Sequence, residues 1–170
     1  MSVSAKPPVK SHGFVTRGIH WLSMLVIGYG YFKGLDSVTQ LADPALFRSE
    51  VIFASGMGLL FVFRLFWTQK IGGATRLPVT APRWEHIASR CVHYGLYASV
   101  FAIVGTGLAV AYAYASPLLG DLFINTMLLG HEAALAILPP LIVIHIAGAL
   151  WHKLVRRDGV LESMTGKLPI

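Results

Sequence analysis

Apolar residues fall into four long stretches separated by short breaks rich in Gly, Pro and Asp. The stretches run over about 16–35, 47–67, 87–115 and 127–154, the third with a polar first turn or two. Each approaches or exceeds the roughly 20 apolar residues that a helix needs to cross a hydrocarbon core of about 30 Å. The breaks are Asp43-Pro44, Gly72-Gly73 through Pro78 and Pro82, and Ser116-Pro117 to Gly120-Asp121, all of which interrupt helices. The pattern predicts an all-α chain of one domain: an integral membrane four-helix bundle running up and down.

Composition supports this pattern. Of 170 residues, 55% are hydrophobic and 13% charged, with a mean hydropathy of +0.63; a soluble domain carries about 25% charged residues. So little polar surface excludes a water-soluble globule, and so much apolar surface excludes a disordered chain. The net charge of +6 reads as topology rather than as a nucleic-acid footprint. Twelve of the 14 Lys and Arg fall in three places. These are the N-terminal arm (Lys6, Lys10, Arg17), the middle connection and its flanks (Arg64, Lys70, Arg76, Arg83, Arg90) and the C-terminal tail (Lys153, Arg156, Arg157, Lys167). Only Lys33 and Arg48 lie elsewhere, whereas Asp36, Asp43, Glu50 and Asp121 belong to the opposite side. With four crossings the three basic regions share a face, and the bias of Lys and Arg toward the cytoplasm predicts both termini there. The polar arm Met1–Thr16, with no small-residue cleavage site after the apolar stretch, reads as uncleaved. A single Cys91 leaves no internal disulfide, no Cys-rich metal site and no covalent haem attachment, which needs a second Cys.

Histidine is the candidate chemistry. Five of the seven histidines, His20, His93, His131, His145 and His152, sit in or at the edge of a crossing. Ionisable groups at membrane depth are costly and face the bundle interior or water. His131 and His145 are 14 residues apart, which at about 100° per residue falls within about 40° of four full turns, on one face, about 21 Å apart along the axis. That spacing suits two haems, one near each side of the bilayer. His152 extends the stripe to the inner interface, and Pro139-Pro140 between the first two predicts a kink. A bis-histidine haem needs a second imidazole at matching depth on another helix. His20 matches His145 in the cytoplasmic half, with His93 at a similar level, while His131 has no such partner in the outer half.

Other chemistries fit less well. Leu135 stands where a zinc-protease H-E-x-x-H would need its second His, and no phosphate-binding glycine loop or hydrolase pattern occurs. A histidine-lined metal or proton path is the remaining alternative from residue chemistry. It fits poorly with Asp and Glu placed at the ends of the crossings.

The run Arg17-Gly18-Ile19-His20-Trp21 resembles the first-helix signature of bacterial cytochrome b561 proteins, which are similar to the b-type subunits of hydrogenases and formate dehydrogenases. The likeness continues through His93-Tyr94-Gly95-Leu96-Tyr97, His131-Glu132, His145 to His152, and Arg157-Asp158-Gly159-Val160-Leu161 with Met164. The resemblance implies a multi-pass protein of the bacterial inner membrane that holds haem b. Its role would be electron transfer between the quinone pool and a periplasmic or membrane redox partner. It implies His20 and His145 as axial ligands of one haem. It implies His131 as a ligand of a second, opposite a His at the outer start of the second helix. Here that position is Glu50, and the second helix has no His. One haem is therefore expected and a second is open, absent or held by His131 with another ligand, His93 among the candidates. Arg17, Arg90 and Lys153 are candidate partners for haem carboxylates. His93, His152 and Lys153 are candidates for a quinone head group. No catalytic residue is expected. Trp21, Trp67, Trp84 and Trp151 read as an interfacial belt.

Within the resemblance a superoxide oxidase, passing electrons from superoxide to quinone, is the alternative function. The acidic outer loops argue against capture of an anion there. The alternative from another class is a membrane protein without haem, a small transporter or an assembly subunit.

Overall fold

The computed structural model describes residues 12–34, 37–72, 77–116 and 119–166. Lys6, Lys10, Leu35, Asp36, Gly73, Arg76, Pro117 and Lys167 of the sequence reading lie outside the described residues. Among those described there are helices and no strands: α1 (Phe14–Lys33), α2 (Pro44–Trp67), α3 (Arg83–Ala115), α4 (Asp121–Trp151) and the short α5 (Val160–Thr165). A 3-10 turn, Val38–Ala42, precedes α2, and π-helical turns extend α2 over Thr68–Gly72 and α4 over His152–Arg156. The predicted crossings fall on α1 to α4. The structure starts α2, α3 and α4 a few residues earlier, because each helix takes in the residues just ahead of its apolar run, Arg83 to His86 in α3 and Asp121 to Thr126 in α4; a side-chain cap marks the start of α2. Asp43 accepts hydrogen bonds from the free N–H groups of Ala45 and Leu46, with Pro44 in the first turn where a missing N–H costs nothing.

Three helical segments are long and apolar enough to cross a membrane: Pro44–Ile71, Arg83–Ala115 and Asp121–Arg156. α1 is not among them; within its 20 residues it carries Arg17, His20, two tyrosines and Lys33. The helices cannot bury their apolar surface on one another. Phe32 is 94% exposed, and Leu25, Leu59 and Leu129 are each about 70% exposed, on the outside of the bundle. So much outward apolar surface needs a lipid solvent.

The core lies where α2, α3 and α4 meet, around Met57, Phe61, Val100, Ile103, Val104, Ala134 and Leu138. α3 packs most extensively on α4, with α2 against α3 and α1 chiefly on α2. α1 and α2 are joined at one end by Trp67 Nε1 donating to Thr16 Oγ1 and at the other by the Lys33–Glu50 ion pair.

Pro139 and Pro140 lie inside α4, which remains one helix through them. Pro139 has no N–H for the Leu135 carbonyl four residues earlier. The Tyr31 hydroxyl of α1 donates to that carbonyl at 2.7 Å, replacing the lost helical bond with a tie between α1 and α4.

At the end shared by the first and last described residues, the chain after α4 folds back on the bundle. His152 Nδ1 meets Asp158 Oδ2 at 2.7 Å, and Arg156 donates through Nε and Nη2 to Glu85 Oε1 at the start of α3. Arg157 takes a left-handed conformation, φ 49°, to make this turn. The His12 amide donates to the Ser163 carbonyl at 3.0 Å, and Gly166, φ 81°, leaves room for Arg17 beside it. We call this the basic end.

Candidate functional site

Three predicted histidines come together near the basic end, one turn or more inside the bundle. His145 of α4 stands between His20 of α1 and His93 of α3, with ring centroids 6.2 Å and 4.9 Å away. Met24, Ile27, Phe61, Arg64, Leu96, Tyr97, Val100, Leu138 and Ile142 complete an apolar pocket around them. α1, α2, α3 and α4 each contribute, so no helix pair alone makes the site.

The two spacings have different consequences. Metal–imidazole bonds of about 2 Å on either side of one ion, plus the half-width of each ring, put the centroids about 6 Å apart. His20 and His145 stand at that separation, on different helices, with their planes tilted by 54°. His93 and His145 are too close and meet edge-on at 88°, a ring contact rather than a ligand pair. The donor set and spacing of His20 and His145 therefore fit a bis-imidazole iron.

Hydrogen bonds distinguish the three rings further. His93 Nδ1 lies 2.6 Å from the Ser89 carbonyl, which can only accept, so Nδ1 carries the proton and leaves Nε2 with a free lone pair. His20 has the opposite arrangement. Arg64 Nη2 lies 2.9 Å from its Nδ1, and a guanidinium can only donate, so Nδ1 is the acceptor. Arg64 was not a candidate from the sequence, where it read as one basic residue among those flanking the middle connection. No spacing rule shows a guanidinium turning inward.

His131 lies away from this pocket, against α3. Thr106 Oγ1 spends its hydrogen on the Ala102 carbonyl and lies 3.0 Å from His131 Nδ1, which donates to it. Gly107 makes this approach possible, since a Cβ there would lie 3.3 Å from His131 Cε1. Glu50, at the position where a second-helix His would be needed, is paired with Lys33 of α1 at 2.7 Å. No second imidazole stands near His131 among the described residues, so a bis-imidazole iron does not fit there.

The remaining candidates lie at the basic end. His152 is buried and held by Asp158, while Lys153 is half-buried on the turn beside it. Arg17 lies against the C-terminal segment and Arg90 is exposed. Trp21, Trp84 and Trp151 are exposed there, as an interfacial belt requires. Trp67 instead ties α2 to α1.

Apolar membrane-length helices around an inward histidine cluster define a class, the membrane cytochromes of b type. The chain belongs to one family of that class, prokaryotic cytochrome b561, whose family model matches residues 11–167. Members bind haem b and carry electrons in the membrane. No curated protein and no solved structure matches the chain.

Proposed function

We propose that this chain is a four-crossing cytochrome of the bacterial inner membrane, with both termini cytoplasmic, that exchanges electrons between the quinone pool and a redox partner through one haem. The observation that carries this reading is the 6.2 Å separation of His20 and His145 across a pocket built by all four long helices. These two imidazoles would hold haem b in the cytoplasmic half. When bound, the group would supply a one-electron couple, and holding it by two imidazoles would suit electron transfer rather than oxygen activation. Phe61, Leu96, Val100 and Leu138 keep water from the pocket, and His93 lies beside His145 without competing for its place.

The one-haem reading rests on the outer half, where His131 is bonded to Thr106 and Glu50 is committed to Lys33. Counting α1 as a crossing rests on its length and on its packing beside α2, although Arg17, His20 and Lys33 shorten its apolar run. A quinone head group needs hydrogen-bonding side chains at the interface, and His93, His152 and Lys153 are those we assign to it.

The test is the haem content of detergent-purified protein. One haem per chain is expected by pyridine haemochrome assay, with a b-type band in the reduced-minus-oxidised spectrum. His20→Ala and His145→Ala should each abolish that band. Correctly folded protein without pigment, or full haem content in either variant, would refute the assignment.

A further inference from the structure

Arg64 is the one cation facing the histidine pocket among the described residues. It sits within the membrane-spanning part of α2, where a guanidinium would ordinarily snorkel toward the interface. Instead it turns inward. Its Nη2 is 2.9 Å from His20 Nδ1, and its Cζ lies 5.8 Å and 5.7 Å from the ring centroids of Phe61 and Tyr97. None of the ion pairs among the described residues involves it. A charge in such surroundings is costly without a counter-charge, and intramembrane cations are rarely left alone.

The contact with His20 cannot be the working one. An imidazole that ligates iron through one nitrogen carries its proton on the other and donates it to an acceptor. Arg64 can only donate, so it cannot satisfy a protonated Nδ1. If His20 ligates through Nδ1 instead, Arg64 stands in the iron's place. Either way Arg64 must leave His20 when the iron is held, and its guanidinium then needs an anion within reach of a four-bond side chain. Haem brings two carboxylates, and a guanidinium matches a carboxylate in two parallel hydrogen bonds.

We infer that Arg64 is the positioning residue of the inner haem. With haem held it turns from His20 onto a haem carboxylate and holds the reduction potential up. The sign follows from charge. Oxidised iron carries one more positive charge than reduced iron, so a fixed cation nearby disfavours the oxidised form. The inference rests on the His20–His145 assignment. Wild-type protein without haem would sink that assignment, whereas the outcomes below concern Arg64 alone.

The experiment is an equilibrium redox titration of purified wild-type, Arg64→Gln and Arg64→Lys proteins, followed by their b-type band. Arg64→Gln should keep the bis-imidazole spectrum while favouring oxidation about tenfold, a fall of about 59 mV for one electron. Arg64→Lys should lose less than half as much. An unchanged potential in Arg64→Gln, or an equal fall in both variants, overturns the inference. Should Arg64→Gln purify without haem, the decision passes to uptake by haem-free wild-type and Arg64→Lys proteins of haem whose carboxylates are methyl esters. An at least tenfold preference for haem over its ester in wild type that falls in Arg64→Lys supports the pairing, and an equal preference in the two proteins refutes it.

Discussion

His131 and His145 share a helix and a face, yet their surroundings give them different chemistry. His145 meets two further imidazoles, and its neighbour His20 stands at the distance an iron would need. His131 meets a threonine hydroxyl and a glycine on α3 and no other imidazole. On the one-haem reading proposed above, His131 serves packing. His131→Ala is therefore expected to keep the wild-type haem content, with at most about 1–2 kcal/mol of lost stability from the missing hydrogen bond and ring. Haem loss in that variant, read by pyridine haemochrome, would reveal a second haem. His93→Ala should likewise retain haem, because its ring touches His145 without bridging to it, but should slow quinone reduction by dithionite-reduced protein. Wild-type kinetics in that assay would remove His93 from the quinone site.

Among the four long helices, α1 alone lacks an apolar run long enough to cross a membrane, and it packs least on the others. It leans on α2 and touches α4 at few points, notably the His20–His145 rings and the Tyr31–Leu135 hydrogen bond. The second of these depends on Pro139, since only a proline leaves the Leu135 carbonyl without its helical donor. Tyr31→Phe should therefore destabilise the protein by about 1 kcal/mol. In Tyr31→Phe combined with Pro139→Ala, the regained helical bond should offset much of that loss. Thermal unfolding in detergent measures both, and additive losses in the double variant would show that the two residues act separately. The end of α4 shows the same dependence on distant partners. The run from Arg157 to Leu161 reads as a motif, but its effect is to fold the tail so that Asp158 holds His152 and Arg156 reaches Glu85.

The whole molecule is a hydrophobic bundle with its chemistry concentrated toward one end. The basic residues, the folded-back tail and the three-histidine pocket lie toward that end, while the Lys33–Glu50 pair and His131 lie toward the other. One redox site in the cytoplasmic half would restrict fast electron exchange to partners reaching that side, and the acidic opposite face would not attract superoxide. A fluorescent protein that matures only in the cytoplasm, fused to the C-terminus, should be bright in cells. A dark fusion of normal abundance would reverse the orientation. Purified protein should also reduce quinone slowly when superoxide is the electron source; a fast rate would restore the oxidase reading.

The family and the helical class were legible in the chain because they follow from runs of apolar residues, from their breakers, and from histidines at helical spacing, whereas the starts of α2, α3 and α4 lie a few residues before those runs. These are local properties, carried by neighbours along the sequence. Which imidazoles face each other was legible only as depth, since spacing along a helix says nothing of the distance to another helix. The 6.2 Å and 4.9 Å separations that distinguish His20 from His93 arise from how four helices pack, as do the inward turn of Arg64, the seat of His131 on Gly107 and the use of Glu50 by Lys33. Tertiary structure decided these because each depends on atoms brought together from far apart in the chain, where rotamer, partner and burial are chosen jointly.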